Sequence, residues 1–425
     1  MWEKLMQAWR VKDVRNGLLF VLGVMVIFRI MANIPLPGVD LIALKRFFDA
    51  NQVLGLLNLF SGGTIASFSI VALGVAPYIT ASIIFQLLAM IFPRLEEIQK
   101  DGEAGQRRIN QWTRLLTIPL AIIQSFSLLQ LLKQSQTPIL TNSDPLHVLL
   151  IIATVTAGTM LLMWMGELMS EKKVGNGISL IIFSGIIAGL PSSLSRLLAT
   201  TDASQWFTYV LYAAVAIAMV AGVVFVSEGQ RNVPVQYARQ SRGMSGSVGG
   251  VASSLPLRVN LTGVIPIIFA ISLLLFPSVI AQFFTRAHSA WIVQAATWVI
   301  VTLQNQAVYG VLYFSLVVIF TYFYTSIVFH PDRIAESIQK QGGFIPGIRP
   351  GKPTAEYLQS VVNRITLGGA LFLGLIAVAP LIAEAAMGTR LIALGGTSIL
   401  IVVSVVVESI KQIQSQITMR EYDVY

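Results

Sequence analysis

Residues 57–79 read LNLFSGGTIASFSIVALGVAPYI, and two features of this stretch indicate the fold. Its first part carries glycines and hydroxyl side chains, so it is too polar and too short to cross a bilayer. Its last six residues, GVAPYI at 74–79, open a strongly apolar run. The stretch therefore predicts a short, weakly hydrophobic segment placed directly before a membrane-spanning helix.

The composition of the whole chain predicts an integral membrane protein. Of 425 residues, 55% are hydrophobic and 12% are charged, and the mean hydropathy is +0.73. Soluble domains carry about 25% charged residues. The apolar runs are continuous rather than alternating, which favours helices over a barrel, and each has the roughly 20 residues that a span needs. We predict ten spans, at about 18–34, 74–92, 115–133, 147–169, 178–198, 207–227, 261–284, 307–329, 365–383 and 391–409.

The positive charges predict that both termini are cytoplasmic, because Lys and Arg are enriched in cytoplasmic loops. Most of the 29 Lys and Arg residues lie on one predicted face. The first span is expected to be retained, because no small-residue cleavage pattern follows it. Residues 290–303, AWIVQAATWVIVTL, are too short for an eleventh span and predict an interfacial or partly buried helix on the outer side.

A weak internal sequence repeat predicts two inverted halves of five helices each. GVAPYI at 74–79 returns as GVIPII at 263–268, and GNGISLII at 175–182 returns as GGTSILI at 395–401. Because five is odd, the second half must cross the membrane upside down relative to the first. The predicted organisation is a cytoplasmic N-terminal segment, a first half, an external hinge loop, a second half and a short cytoplasmic tail, at 1–17, 18–198, 199–206, 207–409 and 410–425.

The charged residues near the spans disfavour several function classes. They are Arg29 within the first span and, toward span ends, Glu167, Glu384 and Glu408. Ion-coupled transport, intramembrane proteolysis and voltage sensing lose support, since each needs a specific charged constellation. The chain has no cysteine, no GxxxxGK[ST] phosphate loop and no Asp-rich metal site. We therefore expect no enzymatic activity, no cofactor and no metal.

Two basic segments, 228–258 and 338–354, lie in the predicted cytoplasmic loops 228–260 and 330–364. They are rich in Gly and Pro, and we expect them to be mobile and exposed. Their positive charge has two interpretations. It serves orientation and attraction to anionic lipid, or it forms a docking surface for an acidic or nucleic-acid-containing partner.

Several motifs in sequence order resemble the SecY family, whose members are the central subunits of the bacterial protein-conducting channel. The resemblance covers essentially the whole chain. The motifs are GVAPYITASIIFQLL, EEIQKDGEAGQRRINQWTR, MWMGELMSEKKVGNGISLIIF, VPVQYARQ, LRVNLTGVIPIIFA, FIPGIRPGKPT and GGTSILIVVSVVVE.

The resemblance implies an all-α clamshell of two inverted five-helix halves around an hourglass pore. A plug helix at about 60–71 would fill the outer funnel, with apolar residues such as Ile70 resting on the pore ring and hydroxyl residues such as Ser69 tolerating the wet funnel. The ring positions are Ile79, Ile83, Ile178, Ile182, Ile268 and Ile401. The plug positions are Ser61, Gly62, Gly63, Thr64, Ile65, Ser67 and Phe68.

The resemblance also implies a lateral gate and a docking surface. The gate would lie between the second and third spans and the seventh and eighth, with Gln86 on it and with Pro77 and Pro266 weakening backbone hydrogen bonds. The residues implied for SecA and ribosome docking are Arg231, Arg239, Arg242, Arg349 and Lys352. The implied partners are SecE, SecG, SecA, the ribosome with its rRNA, signal sequences, nascent chains and anionic lipid.

The function predicted from these features is a channel that passes unfolded secretory polypeptides and releases transmembrane segments into lipid. Its energy would come from a partner. One alternative is a secondary transporter of a small solute, which the inverted repeat also suits. Another is a membrane scaffold whose basic loops recruit partners.

Overall fold

The computed structural model describes residues 11–50, 61, 63–65, 67–133, 139, 144–199, 206–237, 252–285, 289–387 and 396–423. Gly62, Arg239 and Arg242 lie outside these residues. The described part is mostly helical, as long apolar runs require, because only a helix pairs its own backbone groups within a single segment in lipid.

The first half of the chain contributes seven described helices. They are α1 (Lys12–Ala32), α2 (Leu41–Ala50), α3 (Ala76–Ile91), α4 (Pro93–Lys100), α5 (Glu103–Lys133), α6 (Pro145–Glu171) and α7 (Gly177–Ala199). Between α2 and α3, the described residues from 61 to 75 form turns, and this stretch is called the 61–75 segment below.

The second half contributes seven helices and three short strands among the described residues. They are α8 (Trp206–Glu228), β1 (Gln230–Tyr237), β2 (Ala252–Arg258), α9 (Ile265–Phe284), α10 (Ala290–Gln304), α11 (Gln306–Val328), α12 (Pro331–Lys340), β3 (Gly343–Phe344), α13 (Lys352–Met387) and α14 (Gly396–Asp423).

The ten predicted spans all correspond to described helices. Six helices are long and apolar enough to cross a bilayer, namely α1, α5, α6, α11, α13 and α14, and α3 forms a pair with α4 bent by 112°. Helices α7, α8 and α9, of 23, 23 and 20 residues, correspond to the remaining three predicted spans. The stretch predicted as an extra, non-spanning helix is α10, of 15 residues. Helices α5, α13 and α14 extend beyond the predicted spans, and α14 continues through the predicted tail to Asp423.

The two halves meet along two seams. On one side, α9 packs against α3 and α5. On the other side, α14 packs against α7 and α1. One hydrophobic cluster extends across both halves and includes the fully buried Phe28, Ile182 and Ile267. Two five-helix units joined in this way form the predicted clamshell.

Most described residues of the two basic segments, 228–258 and 338–354, are exposed as expected, but parts of both segments form regular strands. Strands β1 and β2 form an antiparallel pair, and β3 adds to the other edge of β1, so the sheet order is β2-β1-β3. Val233 and Val235 alternate inward, as the two-residue period of a strand requires, and pack with Leu257, Phe329 and Leu358. A separate small core therefore holds the two loops together.

Candidate pore, plug and gate

The six isoleucines implied for the pore ring belong to, or pack against, one large hydrophobic cluster. They lie on α3, α7, α9 and α14, so both halves contribute. Five of them are at most 6% exposed, and the sixth, Ile178, is partly buried against the same cluster. Ile178 fits closely because Gly166 faces it, and a Cβ at 166 would lie 2.5 Å from Ile178 Cδ1. Sequence spacing alone could not establish that all six share this cluster.

The two Gly-Val-x-Pro motifs adopt the same backbone conformation at the starts of α3 and α9. Gly74 and Gly263 have φ values of +58° and +64°, in the left-handed region that favours glycine. The following valines, Val75 and Val264, are the N-caps, with φ and ψ of −97° and 5° and of −93° and −7°. This agreement supports the internal repeat that the sequence predicted.

Pro77 and Pro266 do not weaken backbone hydrogen bonding, and that expectation was wrong. Each is the second residue of its helix, within the first turn. Backbone N–H groups in the first turn have no partner inside the helix, so proline removes no hydrogen bond there. Both prolines are buried. They define where α3 and α9 begin.

The sequence suggested a short helix at about 60–71, but the described residues of that range form turns. Gly63, Phe68 and Gly74 all have positive φ, at +81°, +41° and +58°, and such residues interrupt a right-handed helix. Ser69 instead pairs with Pro35 in an isolated antiparallel β-bridge. The segment is thus tied to the loop that follows α1.

Three hydroxyl groups of the 61–75 segment, those of Thr64, Ser67 and Ser69, donate to backbone carbonyls. Thr64 is fully buried, and its Oγ1 donates to the oxygens of Ser61 and Ala72 at 2.8 and 3.0 Å. Ser67 Oγ donates to the oxygen of Ala32 at 2.8 Å. These bonds replace the regular backbone pairing that the turns lack.

The apolar side chains of the segment divide between two clusters. Ile65 and Phe68 are 4% and 1% exposed and pack in a second cluster that includes Leu129 on α5 and Val155 on α6. They do not join the ring's cluster, contrary to expectation. Ile70 contacts both clusters. The segment is therefore held mainly by its own half of the protein.

Gly158 on α6 marks a close contact with the 61–75 segment. A Cβ at 158 would overlap the carbonyl oxygen of Ile70 and lie 3.2 Å from Val71 Cγ1. We expect Gly158→Ala to push the segment off α6, to destabilise the fold by about 1–3 kcal/mol and to lower the unfolding temperature in detergent. Gly189→Ala is the control, since nothing lies within 4 Å of a Cβ there. An unfolding temperature equal to that of the control would contradict this contact.

The implied gate is the seam at which α9 packs against α3 and α5. A cavity of ≈ 220 Å³ lies beside it, between α3, α5 and α11, and Gln86 lines it. Gln86 Nε2 donates to Ser82 Oγ at 3.0 Å. Its other amide atom, Oε1, is buried and accepts no hydrogen bond from the described residues. A polar pocket therefore lies beside the seam.

The described docking residues lie on or beside the three-stranded sheet. Arg231 is on β1, Arg349 lies in the turns after β3, and Lys352 begins α13. All three are exposed. Pairing of β1 with β3 joins the segments that carry Arg231 and Arg349. Arg239 and Arg242 lie outside the described residues.

Two ion pairs that local sequence patterns do not predict join segments distant in the chain. Arg114 Nε lies 2.7 Å from Glu167 Oε1 and joins α5 to α6. Lys411 Nζ lies 2.9 Å from Glu228 Oε1 and joins α14 to α8. Arg29, placed within the first span, is in the last turn of α1. Separations of more than 50 residues hide such pairs from any local pattern.

Comparisons with known proteins identify the family. A family model described as SecY matches residues 69–410, which is well over half of the chain. The chain belongs to the SecY family. SecY relatives named protein translocase subunit SecY are similar over nearly their full length. That of Streptomyces scabiei is 43% identical and covers 98% of both chains, and that of Mycobacterium bovis is 41% identical and covers 100% of this chain and 99% of the relative.

Solved structures share the SecY fold at low sequence identity. One, described as a protein conducting channel, is 18% identical with a TM-score of 0.66 and covers 93% of this chain and 91% of its own. Another, Sec61 in a canine ribosome-channel complex from the endoplasmic reticulum, is 17% identical with a TM-score of 0.61 over the same shares. This SecY chain is therefore a multi-pass membrane protein with the channel fold.

Proposed function

We propose that this chain is the channel subunit of a protein translocase. Unfolded secretory polypeptides would cross a bacterial inner membrane through it, and hydrophobic segments would leave it sideways into lipid. The observation that carries the proposal is that six isoleucines from both halves belong to, or pack against, one hydrophobic cluster that extends across the two halves. The relatives' name, protein translocase subunit, supports the same function.

A ring of branched aliphatic side chains suits a pore for polypeptides. Such side chains yield around a passing chain, because they change rotamer without breaking polar contacts. They offer small ions no replacement for the hydration shell, so ion leakage is opposed without a binding site. The six isoleucines at 79, 83, 178, 182, 268 and 401 have this chemistry.

The 61–75 segment is proposed as the plug and the α3–α9 seam as the lateral gate. The segment is continuous with the start of α3, which carries Ile79, and Ile70 contacts the ring's cluster. It is held by turns, by hydrogen bonds to the chain around Ala32 and Pro35, and by contact with α6, rather than by a long helix. A solved structure with the same fold is described in terms of a plug domain that maintains a membrane seal.

The β1-β2-β3 sheet and the residues after it are proposed as the docking platform for SecA and the ribosome. Arg231, Arg349 and Lys352 supply exposed positive charge there, and anionic rRNA is one target that such arginines suit. SecE and SecG are proposed as membrane partners, and anionic lipid as a surface contact. Both termini would be cytoplasmic. The driving energy would come from SecA, the ribosome or the membrane potential.

A single cysteine at the ring tests the proposal directly, since the chain has none of its own. We expect Ile182→Cys to form a disulfide with a cysteine in the mature part of a stalled secretory precursor. Phe225→Cys on α8 is the control, because Phe225 is 80% exposed and away from the ring's cluster. If an engaged precursor forms a disulfide with neither cysteine, or with both to the same extent, the polypeptide does not pass through the proposed ring.

A further inference from the structure

The cavity beside the gate is lined mainly by polar side chains, and the exposed Gln106 shows that it opens to the surface. It lies between α3, α5 and α11, at the end of these helices that the basic loops predict to be cytoplasmic. Among the described residues that line it, none is charged. Its polar side chains include Ser82, Gln86, Gln106, Asn110, Thr113 and Tyr324.

These side chains retain unused hydrogen-bonding capacity. Gln86 donates to Ser82, but its buried Oε1 accepts from no described residue. Gln106 Nε2 reaches Asn110 Oδ1 only at 3.4 Å. Each amide side chain offers two donors and an acceptor. The cavity therefore presents neutral donors and neutral acceptors together.

Neutral amides match the main-chain groups at a helix end. Every α-helix leaves four N–H groups unpaired at its start and four carbonyls unpaired at its end. Such groups need other partners when a protein surface displaces the water around a helix end. An ion or a charged headgroup would find no counter-charge among the described lining residues. A helix end is thus the ligand whose chemistry the lining fits.

We propose that this cavity caps the cytoplasmic end of a hydrophobic helix while that helix passes through the gate. The amides of Gln86 and Asn110 pair with main-chain groups that would otherwise remain unsatisfied. Because amides donate and accept, the site serves helices that present either their N-terminus or their C-terminus. The inference rests on the proposed function, since it requires hydrophobic segments in the seam.

The test asks whether a hydrophobic segment that caps its own first turn depends less on the cavity than one that does not. Two stalled precursors carry the same hydrophobic segment, preceded by Ala in one and by Ser in the other, since Ser at the N-cap bonds to the first-turn N–H groups and Ala does not. A photo-crosslinking residue replaces Ile327, which lines the cavity. The full-length channel is compared with Gln86→Leu, Asn110→Leu and the control Gln111→Leu, an exposed amide outside the lining.

We expect Gln86→Leu and Asn110→Leu each to reduce crosslinking of the Ala-capped segment about fivefold, the effect of one net hydrogen bond. Crosslinking of the Ser-capped segment should fall much less in these variants. Gln111→Leu should leave the crosslinking of both segments unchanged. Equal losses for both segments, or no loss for either, would overturn the proposal. If one cavity variant fails to fold, the other carries the same comparison.

The outcome also separates this inference from the proposed function. A precursor that crosslinks to Ile182→Cys but never to position 327 would overturn the capping site alone. A precursor that reaches neither position, although engaged, would overturn the channel function and the capping site together.

Discussion

Replacing Arg349 with Glu should abolish SecA-driven export. Arg349 is exposed in the turns between β3 and α13 and matches the contact that the family resemblance implies for SecA. Reversing its charge would place like charges opposite each other at the proposed interface, which costs several kcal/mol. We expect at least about a tenfold loss of SecA-dependent translocation into inverted membrane vesicles.

The backbone conformation around Arg349 does not depend on the arginine side chain. Thr354 Oγ1 donates to the backbone oxygen of Arg349 at 2.9 Å, so the turn is held through the main chain. Gly347 and Gly351, with φ of +83° and +97°, set its shape. Arg349→Glu therefore changes charge rather than conformation. Arg364→Glu, at an exposed position on α13, is the matched control. SecA stimulation equal in both variants would refute the assignment.

A disulfide between positions 35 and 69 should hold the plug closed and block export until it is reduced. Pro35 and Ser69 lie directly opposite in the isolated bridge. The flanking bonds run from Leu36 N to the oxygen of Phe68 at 2.9 Å and from Ile70 N to the oxygen of Ile34 at 3.1 Å. Positions 35 and 69 are therefore a non-hydrogen-bonded pair, for which the Cα separation of about 4.5 Å accepts a disulfide.

The measurement compares export by Pro35→Cys/Ser69→Cys vesicles under oxidising and reducing conditions. Each single cysteine variant is a control and should export equally in both. The disulfide fixes the segment, whereas deletion of residues 61–69 removes most of it. We expect the deletion to raise ion conductance across the membrane while export continues. Full export with the disulfide formed, or an unchanged conductance after the deletion, would show that this segment is not the seal.

Residue patterns predicted the helices well because each span's backbone must be satisfied within itself, whatever its neighbours do. Its short length, together with the sidedness of the basic loops, predicted 290–303 as a helix that does not span, and α10 covers this stretch with 15 residues. The motif at 74–79 and 263–268 predicted the repeat, and the paired glycine conformations at Gly74 and Gly263 agree with it. Local sequence carries all of this information.

The errors arose where contacts between distant residues decide the outcome. Glycine and proline in the basic segments suggested mobile loops, but Val233 and Val235 find a buried core with Leu358. The 61–75 segment was expected to be wet and helical. Its hydroxyls are instead satisfied by carbonyls such as that of Ala32, about 35 residues earlier in the chain.

The sequence by itself determined that this is a membrane protein of ten spans in two related halves, because hydrophobic length and motif repetition are properties of each segment alone. Only the tertiary structure decided that six isoleucines on four helices share one cluster, that Arg114 pairs with Glu167, and that neutral amides gather beside the gate. These arrangements depend on how helices far apart in sequence pack against one another, and a period of 3.6 residues specifies a face of a helix but not its neighbour.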